Sequence, residues 1–426
     1  MSITTKASAF RSRGFKSALG GVAILATGAL VLGGCAASED PATEPTAIAD
    51  YTMTIGTLLP QTGNLAFLGP PEEAGVGLAA AEINEYSDTT GLTVNIEFGD
   101  SGNTDNKAYE TEAPRILATN PTAIIGAASS GVSLQFIDQV IREDVILFSP
   151  ANTSDAFTTY DDNGLYFRTA PSDVLQGEVL GNLIAEDGHQ TLGMIVLNDS
   201  YGTGLAKYVT EAFEGAGGEV VAAPKYNTGD NNFDAQISEV LAADPDAIAL
   251  ITFEEVKTIL PSLFGQFPAE NLYFVDGNLA NFGDEFPAGS LLDAKGTFPG
   301  TNVDELGDFT VKLNDYWVGE GNPALTEYTY GAESYDAVIL LALASLAAGG
   351  ATDGPAVAAM LQEVSGGSGD GEACSTFAEC ADIILSGGTA DYQGISGPIT
   401  FDEVGDPTEA TIGIYKFGED NTYAAY

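Results

Sequence analysis

One stretch constrains the fold more than any other: residues 123–154, AIIGAASSGVSLQFIDQVIREDVILFSPANTS. Residues 123–126 are a short apolar run. Ser129, Ser130 and Gly131 are small residues placed where a helix should begin. Leu134, Ile137, Val140 and Ile141 then recur at helical spacing, so one face is apolar. Residues 145–148 form a second apolar run that ends in Ser149-Pro150. This is one β-α-β unit, and ligands of such units sit beyond the C-terminal ends of the strands. Both strand ends carry small polar side chains: Ser129 and Ser130 after the first, Asn152, Thr153 and Ser154 after the second. The first group also lies at a helix N-terminus, where free N–H groups and the helix dipole favour an anion. The same serines serve equally as ordinary N-caps, and the second group as an ordinary loop.

The alternation extends on both sides. Residues 52–59 and 92–98 read as strands, 72–86 and 107–119 as helices, which gives β-α-β-α-β-α-β up to residue 148. Such a series makes a parallel sheet covered by helices on both faces. Residues 165–170 are expected to open a second series. In it, strands fall at 191–197, 220–226, 247–251 and 272–275, and helices at 173–186, 201–215, 233–243 and 256–265. From 299 to 400 the alternation stops. Helices at 305–319, 328–348 and 356–364 are expected to return to the first domain, and 366–380 reads as a surface excursion. Short strands at 397–401 and 410–417 close the chain. The expected fold is α/β: two doubly wound parallel-sheet lobes joined by a hinge crossed near 168–171, 297–300 and 404–409. Lobe 1 would comprise 51–169 and 299–405, lobe 2 170–298 and 406–426. A cleft between two such lobes is the natural place for a small molecule, and closure about the hinge the natural response.

The N-terminus reads as a targeting segment. Lys6, Arg11, Arg13 and Lys16 precede an apolar stretch at 18–32, which ends in Leu32-Gly33-Gly34-Cys35. That order resembles a bacterial lipoprotein signal, with residues 1–34 removed and Cys35 lipidated; a plain signal peptide or an anchor with an incidental Cys is the alternative. Residues 35–50 lack apolar period and read as a flexible tether. The remainder is expected to be exported and held at the extracellular face of the cell membrane.

The chain carries 14 Lys+Arg against 61 Asp+Glu, a formal net charge of -47. Such a surface argues against nucleic acid as a partner and against steering of an anion from solution. Besides Cys35, only Cys374 and Cys380 occur. In an exported protein a local disulfide between them is expected, with two free thiols as the alternative. A lone His189 gives no metal cluster and no Cys-His pair, and no G-x-S-x-G is present, so neither a metal, a cofactor nor an enzyme is expected. Paired carboxylates stay open as a catalytic option, because acids are everywhere.

Several stretches taken in order carry a family likeness: IGTLLPQTGNLAFLGPPEEAGVGLAAAEIN at 55–84, IIGAASSGVS at 124–133, FSPANTSDAF at 148–157, YFRTAPSDVLQG at 166–177, NDSYGTGLA at 198–206, FVDGN at 274–278 and GPITFDEVGDP at 397–407. Over nearly all of residues 52–426 the chain resembles the solute-binding proteins of bacterial branched-chain amino acid ABC importers, the leucine/isoleucine/valine-binding type. The resemblance implies a type I periplasmic-binding-protein fold, an amino acid ligand, delivery to an ABC permease, and a monomer. It also implies site roles. Ser130 and Thr153 would hold the α-carboxylate, and the Ala151 carbonyl would meet the α-ammonium. Tyr201 would close over the ligand, Asp276 would pair with the ammonium, and Phe67 and Leu68 would touch the side chain. A shift of one position would make Ser129, or further along Asn278, the contact instead. Each residue also has a plainer reading: Asp276 as a turn cap, Tyr201 as helix-start packing, Phe67 and Leu68 as core or exposed loop. Three departures stand out. The family often has a longer acid at the Asp276 position and a Tyr where Leu68 stands, and its early disulfide is absent. The runner-up functions are the same scaffold holding a different small amide or carboxylate, or a ligand sensor.

Overall fold

The computed structural model describes residues 49–367, 369 and 371–426. The expected signal (1–34), the expected lipidation site Cys35 and nearly all of the expected tether lie outside the described residues. Strand β1 (Tyr51–Leu58) leads through a loop to helix α1 (Gly69–Glu85). Pro70 and Pro71 fit its first turn because helix-start N–H groups have no intrahelical partner to lose. Then follow α2 (Ser87–Thr90), β2 (Leu92–Glu97), α3 (Tyr109–Leu117), β3 (Ala123–Gly126), α4 (Ser130–Arg142), β4 (Ile146–Ser149) and β5 (Tyr166–Arg168). These strands pair in parallel in the order β2-β1-β3-β4-β5. The segment at 165–170, expected to open the second series, instead forms the edge of the first sheet, paired with β4. Alternation of strand and helix says that a strand follows; it does not say which sheet receives it.

The second series is α5 (Asp173–Glu186), β6 (Thr191–Leu197), α6 (Ser200–Gly215), β7 (Glu219–Ala222), β8 (Lys225–Tyr226), α7 (Asp234–Ala242), β9 (Ala247–Ile251), α8 (Val256–Leu263), β10 (Leu272–Phe274) and β11 (Lys295–Pro299). The strand expected at 220–226 is two strands, β7 and β8, both beside β6. Pro224 lies at the break and has no N–H to give; its carbonyl accepts from the Val196 amide at 3.1 Å. The last part holds α9 (Asp308–Gly319), α10 (Gly331–Ala347), α11 (Gly354–Val364), β12 (Glu372–Cys374), α12 (Phe377–Leu385), β13 (Ala390–Tyr392), β14 (Ile412–Phe417) and β15 (Tyr423–Ala425). The second sheet runs β15-β14-β11-β10-β9-β6-β7, with β14 antiparallel to β11.

Helix α10 is buried from Gly331 to Leu346, as an all-round apolar helix must be, and packs beside α1 in the core of the first lobe. In the expected excursion at 366–380, residues 372–380 carry regular structure that its Gly/Ser content does not suggest. β12 pairs with β13, Phe377 enters the first core, and Cys374 and Cys380 are disulfide-bonded. At 397–401 there is no strand, only isolated bridges from Pro398 and Phe401, since Pro398 cannot donate to a ladder. The chain passes between the two cores after β5, after β11 and before β14. Among the described residues no helix is long and apolar enough to cross a membrane.

Candidate functional site

The C-terminal ends of β3 and β4 face those of β6, β9 and β10 across the cleft, and a small cavity of about 10 Å³ lies between them. Its first wall is Leu65 and Leu68 from the loop before α1, Ala128 and Ser130 after β3, and Ala151 after β4. Tyr201, Phe253, Asp276 and Gly277 supply the opposite wall, and Tyr330 at the start of α10 closes it. All the side chains are buried; Asp276 is 4% exposed. No Lys or Arg is among the lining residues.

The two candidate serines separate. Ser129 is the N-cap of α4, its Oγ accepting from the Val132 amide at 3.4 Å. Ser130 lines the cavity, and its Oγ accepts from the Ser154 amide at 3.3 Å. The loop after β4 is braced from within. The Ser149 hydroxyl accepts from the amides of Ala151 and Asn152, and the Asn152 side-chain amide donates to the carbonyls of Ala127 and Ala128. Thr153 is buried at 1% exposure and its hydroxyl has no hydrogen-bond partner within 3.5 Å. It lies close enough to the Asp173 carboxyl to draw that group's pKa down. The Asp173 carboxyl is thus the acceptor nearest to hand for this buried hydroxyl.

Asp276 has the opposite inventory. Tyr201 Oη donates to Oδ1 at 2.7 Å and Tyr330 Oη to Oδ2 at 2.8 Å. Burial raises the Asp276 pKa, and the two tyrosines and Gln176 pull it back. Both tyrosine pKa values are driven well up, by burial first and then by the Asp276 charge, so the hydroxyls stay protonated donors. The Tyr201 ring stacks on Phe253 at 5.1 Å, and the Tyr330 ring packs on Phe298 at 5.0 Å. Asp173 lies near Asp276, is fully enclosed, and has neither oxygen partnered; burial and then Asp276 raise its pKa well above the carboxylate range.

Further contacts join the cleft walls. Ser154 Oγ donates to the Ser200 carbonyl at 3.2 Å, and Asn64 Nδ2 to Glu255 at 2.7 Å. At Gly131 a Cβ would meet Asp199 Oδ2 at 2.8 Å, so the two helix starts approach closely only because that residue is glycine.

Of the residues named from sequence, Leu68, Ser130, Ala151, Tyr201 and Asp276 meet in this cavity, whereas Thr153, two residues past Ala151, is not among its lining residues. Phe67 does not line it. It faces a neighbouring groove with Glu254, Lys257 and Glu327. Asn278 ties two strand ends together, donating to the Leu250 carbonyl at 2.6 Å and Thr252 Oγ1 at 2.9 Å. Sequence reasoning missed Leu65, Ala128, Phe253, Gly277 and Tyr330. Phe253 had a usable signal, its place just past the end of a parallel strand. Tyr330 had none, because its left-handed backbone (φ 58) and its reach to Asp276 are set by distant packing.

A family model described as periplasmic binding protein matches residues 52–377. The chain belongs to the periplasmic binding protein family. Among relatives of this binding protein, a chemotactic signal transduction system substrate-binding protein of Halobacterium salinarum is 26% identical over 367 residues, covering 82% of this chain and 84% of that one. A Leu/Ile/Val-binding protein of Rhizobium johnstonii is 24% identical over 382 residues, covering 89% and 95%. Among solved structures, a leucine binding protein from Thermotoga maritima superposes with a TM-score of 0.69 at 20% identity, covering 88% of this chain and 97% of that one. The two-lobe type I fold is therefore shared.

Proposed function

We propose that this binding protein captures an amino acid, branched-chain or otherwise apolar, between its lobes and delivers it to an ABC permease. The observation that carries the reading is Asp276: a buried carboxylate already oriented by two hydroxyls, in one cavity with Ser130 and Ala151 and with no Lys or Arg on the walls. An α-ammonium fits that carboxylate and the Ala151 carbonyl. An α-carboxylate fits the hydroxyls of Ser130 and Thr153, and charge-assisted hydrogen bonds are the stronger kind. A ligand with one charge only would leave a buried partner unpaired, which is costly. Leu65, Leu68 and Phe253 supply an apolar surround for the side chain. Similarity to Leu/Ile/Val-binding proteins supports the same ligand class.

The anchoring is read from the order of basic residues, apolar stretch and Leu32-Gly33-Gly34-Cys35. Cys35→Ser is expected to release the protein from the membrane fraction. A sensor feeding a signalling partner is the second reading, favoured by the likeness to a chemotaxis substrate-binding protein.

Thermal unfolding against a panel of amino acids, short amides and small carboxylates tests the ligand class. Saturating leucine, isoleucine or valine should raise the unfolding midpoint, since ligand at 100 times its Kd adds about 2.7 kcal/mol. A shift with amides or carboxylates alone refutes the amino acid assignment.

A further inference from the structure

We propose that Arg168 is a positioning residue for the 151–154 ligand loop, and that Asp406 sets its aim. Arg168 ends β5, where the chain first leaves the first sheet, and its side chain is 0% exposed. Its Nε donates to Asp406 Oδ1 at 2.6 Å and its Nη2 to Oδ2 at 2.7 Å, a two-point fork that fixes the plane of the guanidinium. Thr158 Oγ1 completes the arrangement, donating to Asp406 Oδ2 at 2.6 Å and accepting from Arg168 Nη2 at 3.1 Å. With the plane fixed, Nη1 points at the loop. It donates to the Ser154 carbonyl at 2.8 Å and the Asn152 carbonyl at 3.3 Å. Between them, the Thr153 carbonyl accepts from the Asp173 amide at 2.7 Å.

Three successive carbonyls, of Asn152, Thr153 and Ser154, thus each accept from a fixed donor. Their peptide planes are set, and the Ser154 amide is left facing Ser130 Oγ. Asp406 belongs to the last passage of the chain toward the second sheet, and the Gly405 carbonyl accepts from the Arg168 amide at 3.2 Å. The pair therefore links two of the hinge passages to the loop that meets the ligand. Stability alone does not explain it. A buried ion pair is often no better than apolar residues of similar volume, so a geometric role accounts for a fully enclosed arginine better than an energetic one.

The proposal rests on the 151–154 loop being part of the amino acid site, and two experiments keep the two claims apart. The first needs no ligand. In Asp406→Asn, amide hydrogen exchange at 151–154 should quicken about 10-fold while the amides of β6 hold their rates, because Arg168 loses the charged partner that aims Nη1 at this loop and at no other. Thr158→Val keeps both charges and should give a smaller change in the same place. Uniform quickening across the molecule, or none, overturns the proposal. The second is a double-mutant cycle read by leucine, isoleucine and valine affinity. Asp406→Asn should weaken binding about 10-fold in the wild-type background. In the Thr153→Ala background its effect should shrink below about 3-fold, because the contact it positions is gone. Full additivity contradicts positioning through the loop. If the unmutated protein binds none of the three, the amino acid reading fails, and the exchange experiment alone decides the role of Arg168.

Discussion

Asp276 and Glu72 are both carboxyl groups shut away from water, 4% and 0% exposed, and they have been given opposite surroundings. Asp276 accepts from two tyrosine hydroxyls, one on each oxygen. Neither oxygen of Glu72 has a partner. Its pKa is pushed well above the carboxylate range by burial, then by Glu73 and Glu333. Burial without donors favours the neutral form of an acid, and Glu72 is so placed in the first turn of α1. Donors aimed at the oxygens are what keep a buried acid ready to be ionised by an arriving cation. The difference separates the acid that lines the cleft cavity from the one that packs a helix start.

Exchanging each acid for its amide puts the largest expected effect on that contrast. Asp276→Asn should weaken amino acid binding by two orders of magnitude or so, since truncating a buried hydrogen-bonded charge pair costs about 2–5 kcal/mol. Glu72→Gln should leave affinity unchanged and stability equal or higher, because burial already disfavours the charged form of an acid whose oxygens accept no hydrogen bond. Equal losses of affinity in the two variants would erase the distinction.

A smaller effect concerns pH. Glu333 is pushed up to about 8 by burial. Its folded pKa lies above its unfolded one, so the folded state binds the extra proton between roughly pH 8 and pH 4.5. Stability of the ligand-free protein should therefore rise as pH falls through that window, by at most about 1.4 kcal/mol per pH unit from this group. Glu333→Gln should flatten the slope in denaturant titrations. Ligand affinity should move the other way, falling with pH as a proton competes for Asp276. A slope unchanged in Glu333→Gln assigns the proton elsewhere.

The smallest effect is expected at Tyr330→Phe. It removes one hydroxyl donor, worth about 1 kcal/mol, so affinity should fall about 5-fold. The pH at which affinity is lost should also shift upward, because Asp276 loses a bond to its charged form. An affinity unchanged at every pH would mean that Tyr201 alone orients the carboxylate.

Much of this was legible in the chain. The period change from strand to helix across 123–154 pointed to the sheet, and the small polar residues at its strand ends pointed to Ser130 and Thr153 as candidates. The likeness added Ala151, Tyr201, Asp276 and Leu68. What the sequence withheld depends on contacts between distant segments. Nothing near Tyr166 says that its strand joins the first sheet, and nothing near Tyr330 says that its hydroxyl reaches Asp276. Phe67 and Leu68 are adjacent and both apolar, yet one faces the groove and the other the cavity, because the helix starting at Gly69 sets the direction of each. The disulfide followed from compartment and spacing, while the strand and helix that frame it were hidden in a Gly-rich stretch.

Calorimetric titration of the purified protein with leucine and with 4-methylpentanoate, the same skeleton without its amine, bears most directly on Asp276 as the ammonium partner. Leucine should bind saturably, 4-methylpentanoate should bind at least about 100-fold more weakly, and Asp276→Asn should lose most of that preference. Equal binding of the two compounds, or an Asp276→Asn variant that still prefers leucine as strongly as the wild type, would contradict it.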